Sequence, residues 1–172
     1  MMKLDNNISL RNKLLNTDWG NIFTTWQKEE ILRGIDLGVD ITKYAFPFVK
    51  PLQMKVLCEM LRYNFDISQL DLRQLNIAQL NSIMRGIIDG VDVSIYYDAK
   101  FHASQMEFLE KCLVNGEDVS AFTDPRYNKE QMIEIRSGLI NGEDISKYAD
   151  PAYSEYTMRI IRKQMNSEKE MD

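Results

Sequence analysis

The sequence predicts an all-α fold: an elongated helical-repeat solenoid with one long helix and one short helix in each repeat. Three observations predict it. Gln27, Gln53, Gln79, Gln105 and Gln131 stand 26 residues apart, with Thr157 at the next step. Asp40, Asp66, Asp92, Asp118 and Asp144 keep the same period, each followed by Ile or Val and then by Thr or Ser. Gly38, Asn64, Gly90, Gly116 and Gly142 stand two positions before those Asp residues. Five copies without insertion or deletion mark a repeat architecture, and a unit this short buries its apolar face only by stacking on its neighbours.

Each register has a local physical task. Three residues before each Gln, or before Thr157, stand Thr24, Lys50, Asn76, His102, Asn128 and Ser154. Thr, Asn and Ser are good helix N-caps, and a Gln at N3 is placed to bond back to the cap's own N–H, which is a capping box. The residue before the cap is apolar in every copy: Phe23, Val49, Leu75, Phe101, Tyr127 and Tyr153. It pairs with N4 (Met54, Leu80, Met106, Met132, Met158, with Lys28 the exception) as a hydrophobic staple. Pro51 stands at N1, where a missing N–H costs nothing.

The long helix is then expected to run for about 12–13 residues with an apolar stripe at N4, N7 and N11. In copy four this stripe is Met106, Leu109 and Leu113, and in copy five Met132, Ile135 and Leu139. Glycine, and less easily asparagine, ends it in the left-handed conformation. The small residues Gly34, Gly86, Cys112 and Gly138 share one register and are expected to let a neighbouring helix approach. The recurring Asp is read as a structural cap for the short helix, because its carboxylate can accept N–H bonds at a positive helix end. A calcium role fits poorly, since that ion needs six to eight converging oxygens and each repeat offers one Asp. Pro47, Pro125 and Pro151 close the short element.

This divides the chain into an N-terminal helical cap (1–22), five to six tandem repeats (23–165) and a polar, fraying tail (166–172). In the cap, Leu4, Ile8, Leu14 and Leu15 are expected to face inward, with Trp19 and Trp26 closing that end of the core. Copy two, with Asn64 for Gly and Arg73 for Pro, is expected to be irregular.

Composition narrows the function. The 172 residues are 44% hydrophobic and 27% charged, as in an ordinary soluble protein. The net charge of -5 argues against a general affinity for nucleic acid or anionic membrane. It resides in residues 101–150, where ten acids face five bases. Cys58 and Cys112 lack metal-ligand spacing and suit a reduced interior. Neither a signal-peptide core nor a run of 18 apolar residues is present, so no membrane association is expected. No metalloprotease, phosphate-loop, serine-elbow or CxxC motif occurs, and the single histidine, His102, falls at a cap position. The expectation is a non-enzyme without cofactor or metal.

Function is then sought where side chains break the repeat toward large apolar or clustered acidic residues. Tyr63, Ile95, Tyr97, Phe108 and Ile133 are the candidate partner-binding residues, with Glu107, Glu110 and Glu117 beside Phe108; Tyr156 breaks the pattern similarly. Two readings stay open for the apolar ones: burial between two helical layers, or a contact surface of the aromatic kind that dominates binding energy.

Residues 131–153, QMIEIRSGLINGEDISKYADPAY, resemble a short repeat of uncharacterised bacterial proteins associated with phages and mobile elements. Residues 105–127 and 79–101 follow the same pattern, and 27–49 and 53–75 follow it loosely. The resemblance implies a mobile-element protein in the cytoplasm of a bacterial host and carries no catalytic residue. The expected function is a protein-binding repeat scaffold, in a narrower form one that inhibits a host defence complex, with a partner of basic surface. The alternative is a helical repeat that binds nucleic acid, for which Arg159, Arg162 and Lys163 form the basic patch.

Overall fold

The computed structural model describes residues 9, 11–12 and 19–169. Among them every regular element is helical and no strand occurs, so the fold is all-α. The helices are α1 (Trp19–Ile22), α2 (Thr25–Asp36), α3 (Pro51–Arg62), α4 (Ile77–Asp89), α5 (Ala103–Val114), α6 (Lys129–Ile140) and α7 (Glu155–Lys169). Short 3-10 turns follow four of them, at Ile41–Lys43, Ile67–Gln69, Val93–Ile95 and Ile145–Lys147. The chain forms two compact units, Met1–Ala99 and Lys100–Asp172. Leu4, Ile8, Leu14 and Leu15 lie outside the described residues, as does the side chain of Trp19.

The helix starts are set by their caps. Thr24, Asn76 and Asn128 accept the N–H of Gln27, Gln79 and Gln131, while each Gln Oε1 accepts the cap's own N–H. Lys50 has no acceptor to offer, so α3 keeps only half of the box, Lys50 N–H to Gln53 Oε1 at 2.9 Å. His102 serves through Nδ1, which takes the N–H of Ser104. The helix ends are equally uniform. Gly38, Gly90, Gly116 and Gly142 have φ between 65° and 73°, and Asn64 has φ 60°. The next residue's N–H then bonds the carbonyl five positions back, as in Val39 to Gly34 (3.1 Å) and Glu143 to Gly138 (2.9 Å).

Copy two therefore keeps the common turn, because Asn tolerates the left-handed region. Its Arg73, where copies one, four and five carry Pro, lies over the Phe48 ring at 4.0 Å, and Phe48 stacks on Phe46. The copy that departs is the fourth: after Asp118 it forms turns rather than a 3-10 helix. All five recurring Asp residues accept the N–H two positions on, at 2.9–3.2 Å.

The core stripe differs from the one expected. Positions N3, N4, N7 and N10 are buried along α3 to α6, through Gln53, Met54, Leu57 and Met60 in α3 and Gln131, Met132, Ile135 and Gly138 in α6. N11 is only half-buried at Leu113 and is exposed at Leu139. Three copies carry glycine at N10. A Cβ on Gly34, Gly86 or Gly138 would meet the hydroxyl of Tyr44, Tyr96 or Tyr148 at 1.6–1.9 Å. The small residue thus admits a tyrosine from its own repeat's return segment rather than a neighbouring helix. That tyrosine is fully buried over N10 of its own repeat, and N11 is buried only at Ile35 of copy one.

Two further expectations fail. Trp26, expected to close the core, is 69% exposed. It stands at N2, where the helical rotation of about 100° per residue carries it away from the N3/N4/N7/N10 stripe. The C-terminal tail does not fray at residue 166: α7 continues to Lys169, and Asn166 Nδ2 donates to Glu143 Oε1 at 3.0 Å.

Gln at N3 has a second bond that sequence reasoning missed. The Gln27 amide donates to the carbonyls of Pro47 and Val49, Gln53 to Leu75 and Gln79 to Ala99. In the second unit Gln105 reaches Pro125 and Tyr127, and Gln131 reaches Pro151 and Tyr153. These carbonyls lie 20 and 22 residues downstream, immediately before the next helix. One side chain therefore caps its own helix and fixes the entry of the following one. Thr157 keeps the cap contact with Ser154 and lacks the amide for the second task.

Candidate functional site

The candidate residues proposed from the sequence fall on both units and do not form one patch within either. In unit 1, Tyr63 is exposed at the end of α3, whereas Ile95 and Tyr97 are half-buried in the return segment after α4. Tyr97 donates its hydroxyl to Gln69 Oε1 at 3.1 Å. In unit 2, Phe108 is half-buried with its ring 6.0 Å from that of Phe122, and Ile133 is exposed on α6.

The acids beside Phe108 are not a free anionic surface. Glu110, expected to be exposed, is 6% exposed, because its N8 position turns toward the packed side of α5. Glu107 pairs with Lys111 at 3.2 Å. Glu117 pairs with Arg136, whose two hydrogen bonds hold the carboxyl below its usual range.

The basic patch is likewise occupied. Arg162 donates to Glu134 at 2.6 Å and to Glu143 at 2.8 Å, and Arg159 donates to Glu134 at 2.7 Å. Glu143 is held down at about 2, foremost by Arg162 and then, against the cost of burial, by Asn166 and Tyr148. The network ties α6, the turn after it and α7 together, and it leaves Lys163 as the one cation of that patch with no carboxylate partner among the described residues.

The surface that stands out was singled out from the sequence only at Tyr63. On unit 1 the outward sides of α2, α3 and α4 carry Trp26, Leu52, Tyr63 and Ile88, all more than half exposed. Two grooves of about 510 Å³ each run over this face. The first lies among Trp26, Pro51, Leu52 and Ile77, and the second among Leu52, Val56, Tyr63, Ile77, Met84 and Ile88. They share Leu52 and Ile77 and so form one continuous apolar strip.

Helical rotation explains this strip. The core of each copy takes N3, N4, N7 and N10, so N2, N5, N9 and N12 point away from it. In copies one and two N2 is Trp26 and Leu52; in copies four and five it is Ser104 and Glu130. Reading N2 down the copies would have found the feature.

The charges at this face are unequal. Glu59 borders the second groove and is shared by Arg33 and Arg62, which outweigh its partial burial and hold its carboxyl below the usual range. Lys50 and Lys55 border the grooves, are exposed, and have no acidic partner among the described residues.

Among the described residues no helix is long and apolar enough to cross a membrane, and no three His, Cys, Asp or Glu side chains gather as metal ligands. Cys58 and Cys112 are buried free thiols; burial pushes Cys112 up to about 11, away from nucleophilic use. Comparison with protein-family models, curated proteins and solved structures finds no match to this chain.

Proposed function

We propose that the protein is a non-enzymatic repeat scaffold that binds another protein, its copies stacked as a helical-repeat solenoid. The carrying observation is the exposed apolar strip of Trp26, Leu52, Ile77 and Ile88 on unit 1. Side chains of this size grouped on an outward face are a cost in water unless a partner covers them. Repeat proteins commonly bind macromolecules over such faces. The Gln clamps support the stacked arrangement, since each fixes where the next helix of its unit begins. Occupation of Arg159 and Arg162 by carboxylates weighs against phosphate binding, which depends on available cations.

A narrower form of the proposal is a phage or mobile-element protein that inhibits a host defence complex by binding it. Its support is the resemblance of residues 131–153 to repeats of such proteins.

The test is affinity capture from nuclease-treated bacterial lysate with wild type and with the Trp26→Ala/Leu52→Glu variant. Because both side chains are exposed, the variant's melting temperature should stay within about 2 °C of wild type. Wild type should retain a specific protein that the variant loses. Retention unchanged by the substitutions, or retention of nucleic acid alone when nuclease is omitted, would overturn the proposal.

A further inference from the structure

The apolar strip constrains the chemistry of what covers it. We infer that it receives an amphipathic α-helix with acidic flanks, contributed by a partner protein; the inference rests on the protein-binding reading above.

Three observations lead there. The first is shape. The strip lies between the outward sides of two neighbouring helices, α3 and α4, with Val56 and Met84 between them. Such a surface presents side chains and no unpaired backbone edge, so an extended peptide finds no ladder of hydrogen bonds to join. A helix needs only apolar anchors at i, i+3, i+4 and i+7.

The second is length. The 12 residues of α3 extend on the order of 18 Å, which matches about three turns of a docked helix. Trp26 and Leu52 stand at one end of the strip, and Tyr63 and Ile88 at the other.

The third is charge. The carboxylate of Glu59 is held by two arginines, whereas Lys50 and Lys55 border the strip with no acidic partner among the described residues. Lys50 also stands at the start of α3 without a side chain that can cap it, so the partial positive charge of that helix end adds to its own. Two lysines without acidic partners among the described residues thus line the strip, although the chain as a whole is acidic at -5. An acidic helix is drawn to it and a basic one is repelled.

The experiment uses the full chain and three fluorescently labelled, helix-stapled 15-residue peptides. The first has Leu at the anchor positions and Glu on both flanks. The second has the same anchors with Lys flanks. The third has Glu flanks with Ser at the anchors. Binding is read by fluorescence anisotropy at low and high salt.

The Glu-flanked peptide should bind at least tenfold tighter than the Lys-flanked one and should weaken with salt, and the anchor-less peptide should not bind. Lys50→Glu/Lys55→Glu should reverse the preference without lowering the melting temperature, and Leu52→Ala should weaken binding about tenfold. Equal affinity for Glu- and Lys-flanked peptides, or no effect of the charge reversal, overturns the inference. If neither helical peptide binds while Leu52-dependent capture of a protein persists, the acidic-helix inference falls and the protein-binding reading stands. If that capture is also absent, both fall.

Discussion

The hydroxyl of Tyr148 lies over the backbone of Gly138, so close that a Cβ built on the glycine would come within 1.6 Å of it. Tyr148 is fully buried and its hydroxyl donates to Glu143 at 3.2 Å, so the ring has no room to retreat. The same pair recurs as Gly34 with Tyr44 and Gly86 with Tyr96. Where the helix residue is larger, as at Met60 and Cys112, the residue in the tyrosine register is Leu70 or Phe122 and has no hydroxyl. Substitution of Gly138 by Ala should therefore cost about 1–3 kcal/mol, as overpacking does, despite the better helix propensity of alanine. Combining it with Tyr148→Phe should restore most of that loss, imitating copy four. Urea unfolding of the single and double variants measures both effects.

The Gln131 side chain accepts from the Asn128 N–H and donates to the carbonyls of Pro151 and Tyr153. Gln131→Met keeps the volume and removes these bonds in a buried setting, so it should destabilise by about 2–4 kcal/mol. Gln131→Glu keeps the acceptor, loses the donor and sets a negative charge against two carbonyl dipoles. It should be at least as damaging at neutral pH and should recover in part as pH falls toward about 4.3, because burial against carbonyls raises the pKa of the new carboxyl above that ordinary value. Thermal melts across pH distinguish the two substitutions.

Glu143 has its pKa depressed to about 2 by Arg162 and its other donors. A depressed carboxyl contributes stability in full above its unfolded pKa, near 4.3, and loses it as pH falls toward the folded value. Unit 2 should accordingly weaken between about pH 5 and pH 2, by on the order of 3 kcal/mol from this group. Glu143→Gln should flatten that acid limb. Arg162→Ala should destabilise at neutral pH by about 3–5 kcal/mol, because it leaves Glu134 and Glu143 buried with fewer partners. Circular dichroism melts from pH 2 to pH 7 report both.

Phe108 packs its ring 6.0 Å from that of Phe122, itself fully buried in the return segment of the same copy. Phe108→Ala should lower the stability of unit 2 by about 2 kcal/mol, below the cost for a fully buried aromatic because the ring is half covered. Denaturant titration gives this number. An unchanged midpoint would mean that the ring contact contributes nothing to the fold and would return Phe108 to the set of contact residues.

The features legible in the sequence are those completed within a turn or two of chain. The caps at Thr24, Asn76 and Asn128, the left-handed stops from Gly38 to Gly142, the Asp residues at the short turns and the all-helical class depend on groups two to five residues apart, and a single repeat displays them all. Tertiary structure decided the properties that join distant segments. It turned Trp26 outward and put Tyr148 rather than a neighbouring helix over Gly138. It gave Gln131 a second set of partners 20 and 22 residues away, and it closed Glu117 and Glu143 into ion pairs spanning 19 residues. A register records that a position recurs; it does not record which side of a helix its neighbours leave uncovered. Exposure and pairing are sums over contacts from elsewhere in the chain, and only the packed arrangement contains those sums.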